Sequence, residues 1–217
     1  MTDFAALRQA MVDCQVRPSD VTRYAIIDAM LSVPREQYVP KSKREIAYTE
    51  AEITISGNRV LLAPRTFAKM LEVASVREDD LVLDLAPGLG YSTAVLAHLA
   101  TAVVAIEPDT DMSAQAAEAI VAMEIDNAVV SQGNPAEGDA AHGPYDLIFV
   151  NGGIETVPQA LTDQLKDGGR LVAIYMDGAI GQCRVIVRAG ETLATRYAFD
   201  ATAPVLAGFE AERAFAL

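Results

Sequence analysis

Val82-Leu83-Asp84-Leu85-Ala86-Pro87-Gly88-Leu89-Gly90-Tyr91 reads as a buried strand that breaks into a glycine-containing turn and re-emerges as a helix. The apolar residues on either side of Asp84 suit a strand covered on both faces, and the glycines beyond it let backbone approach a ligand at a helix start. Small residues fall at alternate positions, Ala86, Gly88 and Gly90. A dinucleotide fingerprint needs G-x-G-x-x-G, for which the equivalent positions are Ala86, Gly88 and Tyr91. Without the third glycine the turn suits a compact zwitterionic ligand better than a pyrophosphate. A plain tight turn is the alternative.

Outward from this turn, apolar runs at 81–85, 102–106, 128–130, 147–150 and 170–175 alternate with helical spacing at 91–99, 111–123 and 157–165. That alternation predicts an α/β fold with a mostly parallel sheet. Two last runs, 183–187 and 192–197, flank the turn-like Arg188-Ala189-Gly190-Glu191 and predict an antiparallel C-terminal hairpin, which makes seven strands. Upstream, helical periodicity covers 5–16 and 21–31, with Ser19 or Asp20 placed to cap the second helix and Val33-Pro34 to end it. Turn and short-strand character follows to Asn58, and Pro64 then opens a helix through Phe67, Met70, Leu71 and Ala74. The expected organisation is an N-terminal helical extension at 1–76, covering the substrate, and a ligand-binding sheet domain at 77–217.

A length of 217 residues, 51% of them hydrophobic and 22% charged, fits one α/β domain with an appended segment. The apolar runs are strand-sized, and the amphipathic start MTDFAALRQAMVDC is unlike a secretory signal, so a cytoplasmic protein is expected. Cys14 and Cys183 lie far apart, and His98 and His142 stand alone, which leaves little for a disulfide framework or a metal site. Net charge is −13, which argues against nucleic acid or an anionic membrane as partner. The charge is uneven: residues 1–70 hold ten Lys/Arg against eight Asp/Glu, the rest seven against twenty-two. Lys41, Lys43, Arg44, Arg59, Arg65 and Lys69 form a basic group that either faces an acidic ligand or is solvated surface.

Further carboxyl-end features join the glycine turn. Ala105-Ile106-Glu107 closes the next strand and sets a carboxylate nineteen residues after Gly88, where a nucleotide-binding βαβ unit holds the ribose hydroxyls. The alternative for Glu107 is an ordinary helix-start acid. Gly133-Asn134-Pro135 follows the third strand, and the run from Tyr145 to Gly153, which includes Asn151, opens toward the same rim. Ligands of open α/β sheets bind at that rim.

The run VLDLAPGLGYSTAVLAHL at 82–99 resembles the first motif of class I methyltransferases, in the version found in protein-L-isoaspartate O-methyltransferases. MLSVPREQYVP at 30–40 with Ala47-Tyr48, and 144–165 followed by Lys166-Asp167-Gly168-Gly169-Arg170-Leu171-Val172, resemble other segments of that family, so about residues 20–190 are covered. The resemblance implies a Rossmann-like class I methyltransferase fold, S-adenosylmethionine as cofactor, and the isoaspartyl carboxylates of damaged proteins as substrate. It places Asp84, Ala86, Gly88 and Gly90 around the amino-acid part of the cofactor, Glu107 at the ribose and Asn134 at the adenine, with Asn151 at the same rim. The chain departs from the family pattern at three points. Ala86 replaces a loop glycine, and Asn134 replaces an acid whose hydrogen-bond role its amide oxygen can keep. Val60-Leu61-Leu62-Ala63-Pro64 stands where the family has T-I-S-x-P, so Leu62 occupies the serine position near the transferred methyl. A catalytically silent member that binds the cofactor or a partner is therefore a second reading, and an NAD-dependent oxidoreductase a third.

Overall fold

The computed structural model describes residues 2–212. Its seven-stranded sheet runs β5-β4-β3-β6-β7-β8-β9, where β3 is Leu81–Leu85, β4 Ala102–Glu107, β5 Ala128–Gln132, β6 Tyr145–Ile154, β7 Leu165–Asp177, β8 Ile180–Ala189 and β9 Thr192–Asp200. The strands from β3 to β7 pair in parallel, and β8 and β9 are antiparallel, as the sequence predicts. The chain steps from β3 outward through β4 and β5, then returns to β6 on the other side of β3. A crevice opens where strand order reverses in this way. Helices α4 (Tyr91–Ala97), α5 (Thr110–Ala122) and the short α6 (Gln159–Asp163) make the crossovers.

Side-chain alternation along each strand divides the core into two layers. Val82, Phe149 and Val172 face one layer, and Leu83, Leu85, Ile148, Val150 and Leu171 face the other. The N-terminal extension supplies the first layer. Its helices α1 (Phe4–Met11), α2 (Tyr24–Ser32) and α3 (Pro64–Ala74) bury Met11, Ile26, Met30, Phe67 and Met70 against that face of the sheet. Extension and sheet thus share one core. Arg170 of β7 stitches them further, donating to the Ala74 and Ser75 carbonyls at the end of α3 and to Asp80 and the Asp146 carbonyl.

Three local expectations are corrected. The helix expected at 5–16 is α-helical only to Met11 and continues as a π-turn over Val12–Val16 and a 3-10 turn over Arg17–Ser19, where Pro18 removes a donor. Neither Ser19 nor Asp20 caps α2. The Ser19 hydroxyl donates to the Gln15 carbonyl, Asp20 is left-handed at φ 61°, and the amides of Thr22 and Arg23 instead donate to the Glu72 carboxylate of α3 at 3.3 Å. The third helix of the sheet domain, expected at 157–165, is the single turn of α6, because β7 already begins at Leu165. Between α2 and α3 lies a two-stranded hairpin, β1 (Ile53–Ser56) and β2 (Arg59–Leu61), turned at Gly57-Asn58. Phe209 is fully buried in the second layer, and Phe215 and Leu217 lie outside the described residues.

Candidate active site

The turn after β3 is held in a left-handed path, with Ala86 at φ 57°, Gly88 at 63° and Gly90 at 94°. L-residues rarely adopt such angles, so Ala86 is strained where glycine is not. Its amide donates to the Ile106 carbonyl at 2.8 Å, which ties the turn to the end of β4. Gly90 is also a close approach. A Cβ there would lie 3.1 Å from that of Ala116 on α5.

Asp84 lies beneath the turn, fully buried, and accepts from the Ser92 and Thr93 hydroxyls of α4 at 2.7 Å and from the Asn151 amide at 2.6 Å. Asn151 also donates to the Leu85 carbonyl at 3.1 Å. Burial pushes the Asp84 carboxyl up to about 6, against the lowering effect of its three donors. Asp84 and Asn151 therefore brace the strand ends and the turn against one another. Ser92 and Thr93 complete that brace; two hydroxyls eight and nine residues beyond the acid, in the first turn of α4, are its only trace in the sequence.

Glu107 ends β4 with its side chain wholly buried. Its Oε2 accepts from the Gly88 amide at 2.8 Å and from Arg59 Nη2 at 2.9 Å; its Oε1 accepts from Arg59 Nη1 at 2.8 Å and from the Asp109 amide at 3.2 Å. Arg59 Nη2 also donates to the Ala86 carbonyl at 2.9 Å. A carboxylate has about four acceptor positions, so Glu107 is saturated. Ile55 of the same hairpin fills the space over the turn, its Cδ1 standing 2.7 Å from where a Gly88 Cβ would be.

Asn134, after β5, is exposed; its side chain accepts from the Ala136 amide at 3.0 Å and donates to Glu137 at 2.8 Å. Residues 203–209 close the neighbouring rim. The Gly153 amide donates to the Pro204 carbonyl and the Leu206 amide to the Gly153 carbonyl, both at 2.9 Å. Leu62 is 2% exposed and its carbonyl accepts from Arg35 at 2.6 Å. Arg35 is itself buried, donates to the Ala47 carbonyl at 2.8 Å and stacks over the Tyr91 ring. It fixes Leu62 to the start of α4.

The basic group expected from the sequence is dispersed. Arg59 points inward to Glu107, Lys43 donates to the Thr54 carbonyl, Arg65 to Ser19, and Lys69 pairs with Asp20 at 3.8 Å. Lys41 and Arg44 remain on the surface, where with Gln37 and Pro40 they line a groove beside Leu89 of the turn. In the sequence Arg59 looked like one basic residue among six. Nothing local to it announces a partner 48 residues away.

For a nucleoside with an amino-acid tail the donor set fits: a carboxylate at the end of β4 for a diol, an exposed amide after β5 for a base, and positive-φ backbone between them. In the described conformation Arg59 and Ile55 hold the space such a ligand needs.

Comparison with known proteins gives one consistent result. Residues 7–193 match the family described as protein-L-isoaspartate(D-aspartate) O-methyltransferase. The chain is 37% identical over 171 residues to protein-L-isoaspartate O-methyltransferase 1 of Rhodopseudomonas palustris strain HaA2, covering 79% of this chain and 70% of the relative. It is 32% identical to the protein-L-isoaspartate O-methyltransferase of Roseiflexus castenholzii, over 91% of this chain and 90% of that one. Among solved structures, a protein-L-isoaspartate O-methyltransferase superimposes with TM-score 0.80 at 21% identity, covering 95% of this chain and 66% of the other. The Plasmodium falciparum protein titled a putative protein-L-isoaspartate O-methyltransferase, solved with S-adenosyl-L-homocysteine, superimposes with TM-score 0.78 at 19% identity, over 95% of this chain and 99% of that one.

Proposed function

The chain belongs to the protein-L-isoaspartate(D-aspartate) O-methyltransferase family, and from that premise we propose that it uses S-adenosylmethionine to methylate the carboxylate of isoaspartyl residues in proteins. The observation that carries this reading is the junction of Gly88 and Glu107, whose 2.8 Å contact joins a glycine turn to a diol-competent carboxylate at the switch point of the sheet.

When bound, the cofactor supplies an electrophilic methyl group on a sulfonium sulfur. Glu107 would hold the ribose hydroxyls, Asn134 would offer its amide to the adenine, and the backbone of 86–90 would take the amino-acid tail. Asp84 is a positioning residue, because both of its carboxylate oxygens are already engaged by Ser92, Thr93 and the Asn151 Nδ2, which also donates to the Leu85 carbonyl. The acceptor carboxylate is ionised at neutral pH and needs no general base, so the chain's contribution is alignment and exclusion of water, worth roughly 7–11 kcal/mol. The loss of a serine hydroxyl at Leu62 removes about 1.5–3 kcal/mol of stabilisation of a charged oxygen, which slows transfer without abolishing it. Lys41 and Arg44, beside Leu89, suit an acidic peptide. Cytoplasmic placement belongs to the same proposal and rests on two unpaired thiols, Cys14 exposed and Cys183 buried. Among the described residues no helix is long and apolar enough to cross a membrane.

The test is transfer of a labelled methyl group from S-adenosylmethionine to an isoaspartyl peptide. The expected result is a base-labile ester formed by the wild-type chain and lost in Glu107→Ala. Ester formation no greater than in that variant would defeat the reading.

A further inference from the structure

We propose that Arg59 is an intramolecular competitor of the cofactor ribose, and that the hairpin Ile53–Ser56 and Arg59–Leu61 is a latch that sets cofactor affinity. The inference deepens the proposed function and rests on its assignment of Glu107 to the ribose. A guanidinium and a ribose diol are alternative ligands for one carboxylate, since each presents two parallel donors to two oxygens. In the latched state both Glu107 oxygens are filled, and two of their four donors come from Arg59. The remaining two are backbone amides of Gly88 and Asp109, which stay with the site when the hairpin moves. Opening the latch therefore frees the two Glu107 acceptor positions that a diol needs, together with the Ala86 carbonyl of the turn.

The hairpin closes the site through a second contact of different kind. Ile55 packs over the backbone at Gly88, so one side chain of the hairpin blocks the diol position and another blocks the turn. The hairpin is anchored at its base by Ile53 and Leu61, both buried in the first layer, and reaches the sheet at its tip through Asn58, which donates to the Val205 carbonyl at 3.4 Å, a long bond at an exposed position. It is a small two-stranded unit, with pairing irregular between Thr54 and Ser56. Two strands without a third have little stability of their own, which suits an element that docks and releases.

When a binding-competent state is only fractionally populated, apparent affinity falls by that fraction. Removing the bidentate clasp must then tighten binding, which is opposite to what loss of a structural ion pair does. The experiment is calorimetric titration of S-adenosyl-L-homocysteine into wild type, Arg59→Lys and Arg59→Gln. A lysine keeps the charge but cannot clasp both oxygens, and glutamine keeps neither. The expected order is wild type weakest, Arg59→Lys intermediate and Arg59→Gln tightest, with about ten-fold or more between the ends, as for a site open a tenth of the time. Equal or weaker binding by the variants overturns the latch and leaves the cofactor assignment standing. No binding by any of the three overturns both, because a site still shut after its clasp is removed is not shut by that clasp. Should Arg59→Gln fail to fold by circular dichroism, the comparison of wild type with Arg59→Lys decides the matter alone.

Discussion

Ala86 keeps a side chain where the backbone asks for none. At φ 57° an L-residue costs roughly 1–2 kcal/mol, and glycine's freer unfolded chain returns roughly half of that. Ala86→Gly is therefore expected to stabilise the protein by about 0.5–1 kcal/mol, read as a higher denaturation midpoint. Asp84 makes a pH-dependent prediction. Its folded-state carboxyl is held at about 6, above its ordinary 3.8. The folded chain thus binds the proton more tightly than the unfolded one, and this group's contribution to stability is complete below about pH 4 and is lost as pH rises through 6. The wild type is expected to gain on Asp84→Asn by about 3 kcal/mol between pH 7 and pH 4, measured by parallel denaturant titrations. A flat difference would mean that the buried acid titrates normally. Leu62 belongs to the core as much as to the site. Leu62→Ser leaves a cavity and a hydroxyl short of partners, and a loss of about 3 kcal/mol is expected in urea unfolding.

At the scale of elements, the parallel strands were legible because doubly covered strands write themselves as continuous apolar runs, as Leu81–Leu85 and Ala102–Glu107 do. The glycine turn and Glu107 were legible for a related reason: their spacing is fixed by one strand-helix-strand unit. What the sequence concealed is long-range pairing. Glu72, about fifty residues on, holds the amides of Thr22 and Arg23 just before α2, and Glu107 is clasped by Arg59, 48 residues before it. No periodicity or spacing rule reaches across such distances. The hairpin itself was read only as turn and short-strand character, since its few residues carry too little pattern. Arg170 carries no such signal either, yet from β7 it joins the end of α3, Asp80 at the entry to β3 and Asp146 of β6. Arg170→Ala leaves Asp80 as a buried carboxylate without its cation and frees two carbonyls at the end of α3. A loss of about 3–5 kcal/mol is expected, measured by chemical denaturation.

For the whole molecule, the N-terminal extension and the sheet share one hydrophobic layer, and the extension delivers both Leu62 and the hairpin to the carboxyl ends of the strands. The most direct test offers the chain S-adenosylmethionine together with two peptides of one sequence, one carrying an isoaspartyl linkage and one the ordinary aspartyl linkage, and follows methylation of each by mass spectrometry. A methyl ester is expected on the isoaspartyl peptide alone, lost when Glu107 is replaced by alanine. Equal methylation of both peptides, or of neither, would contradict it.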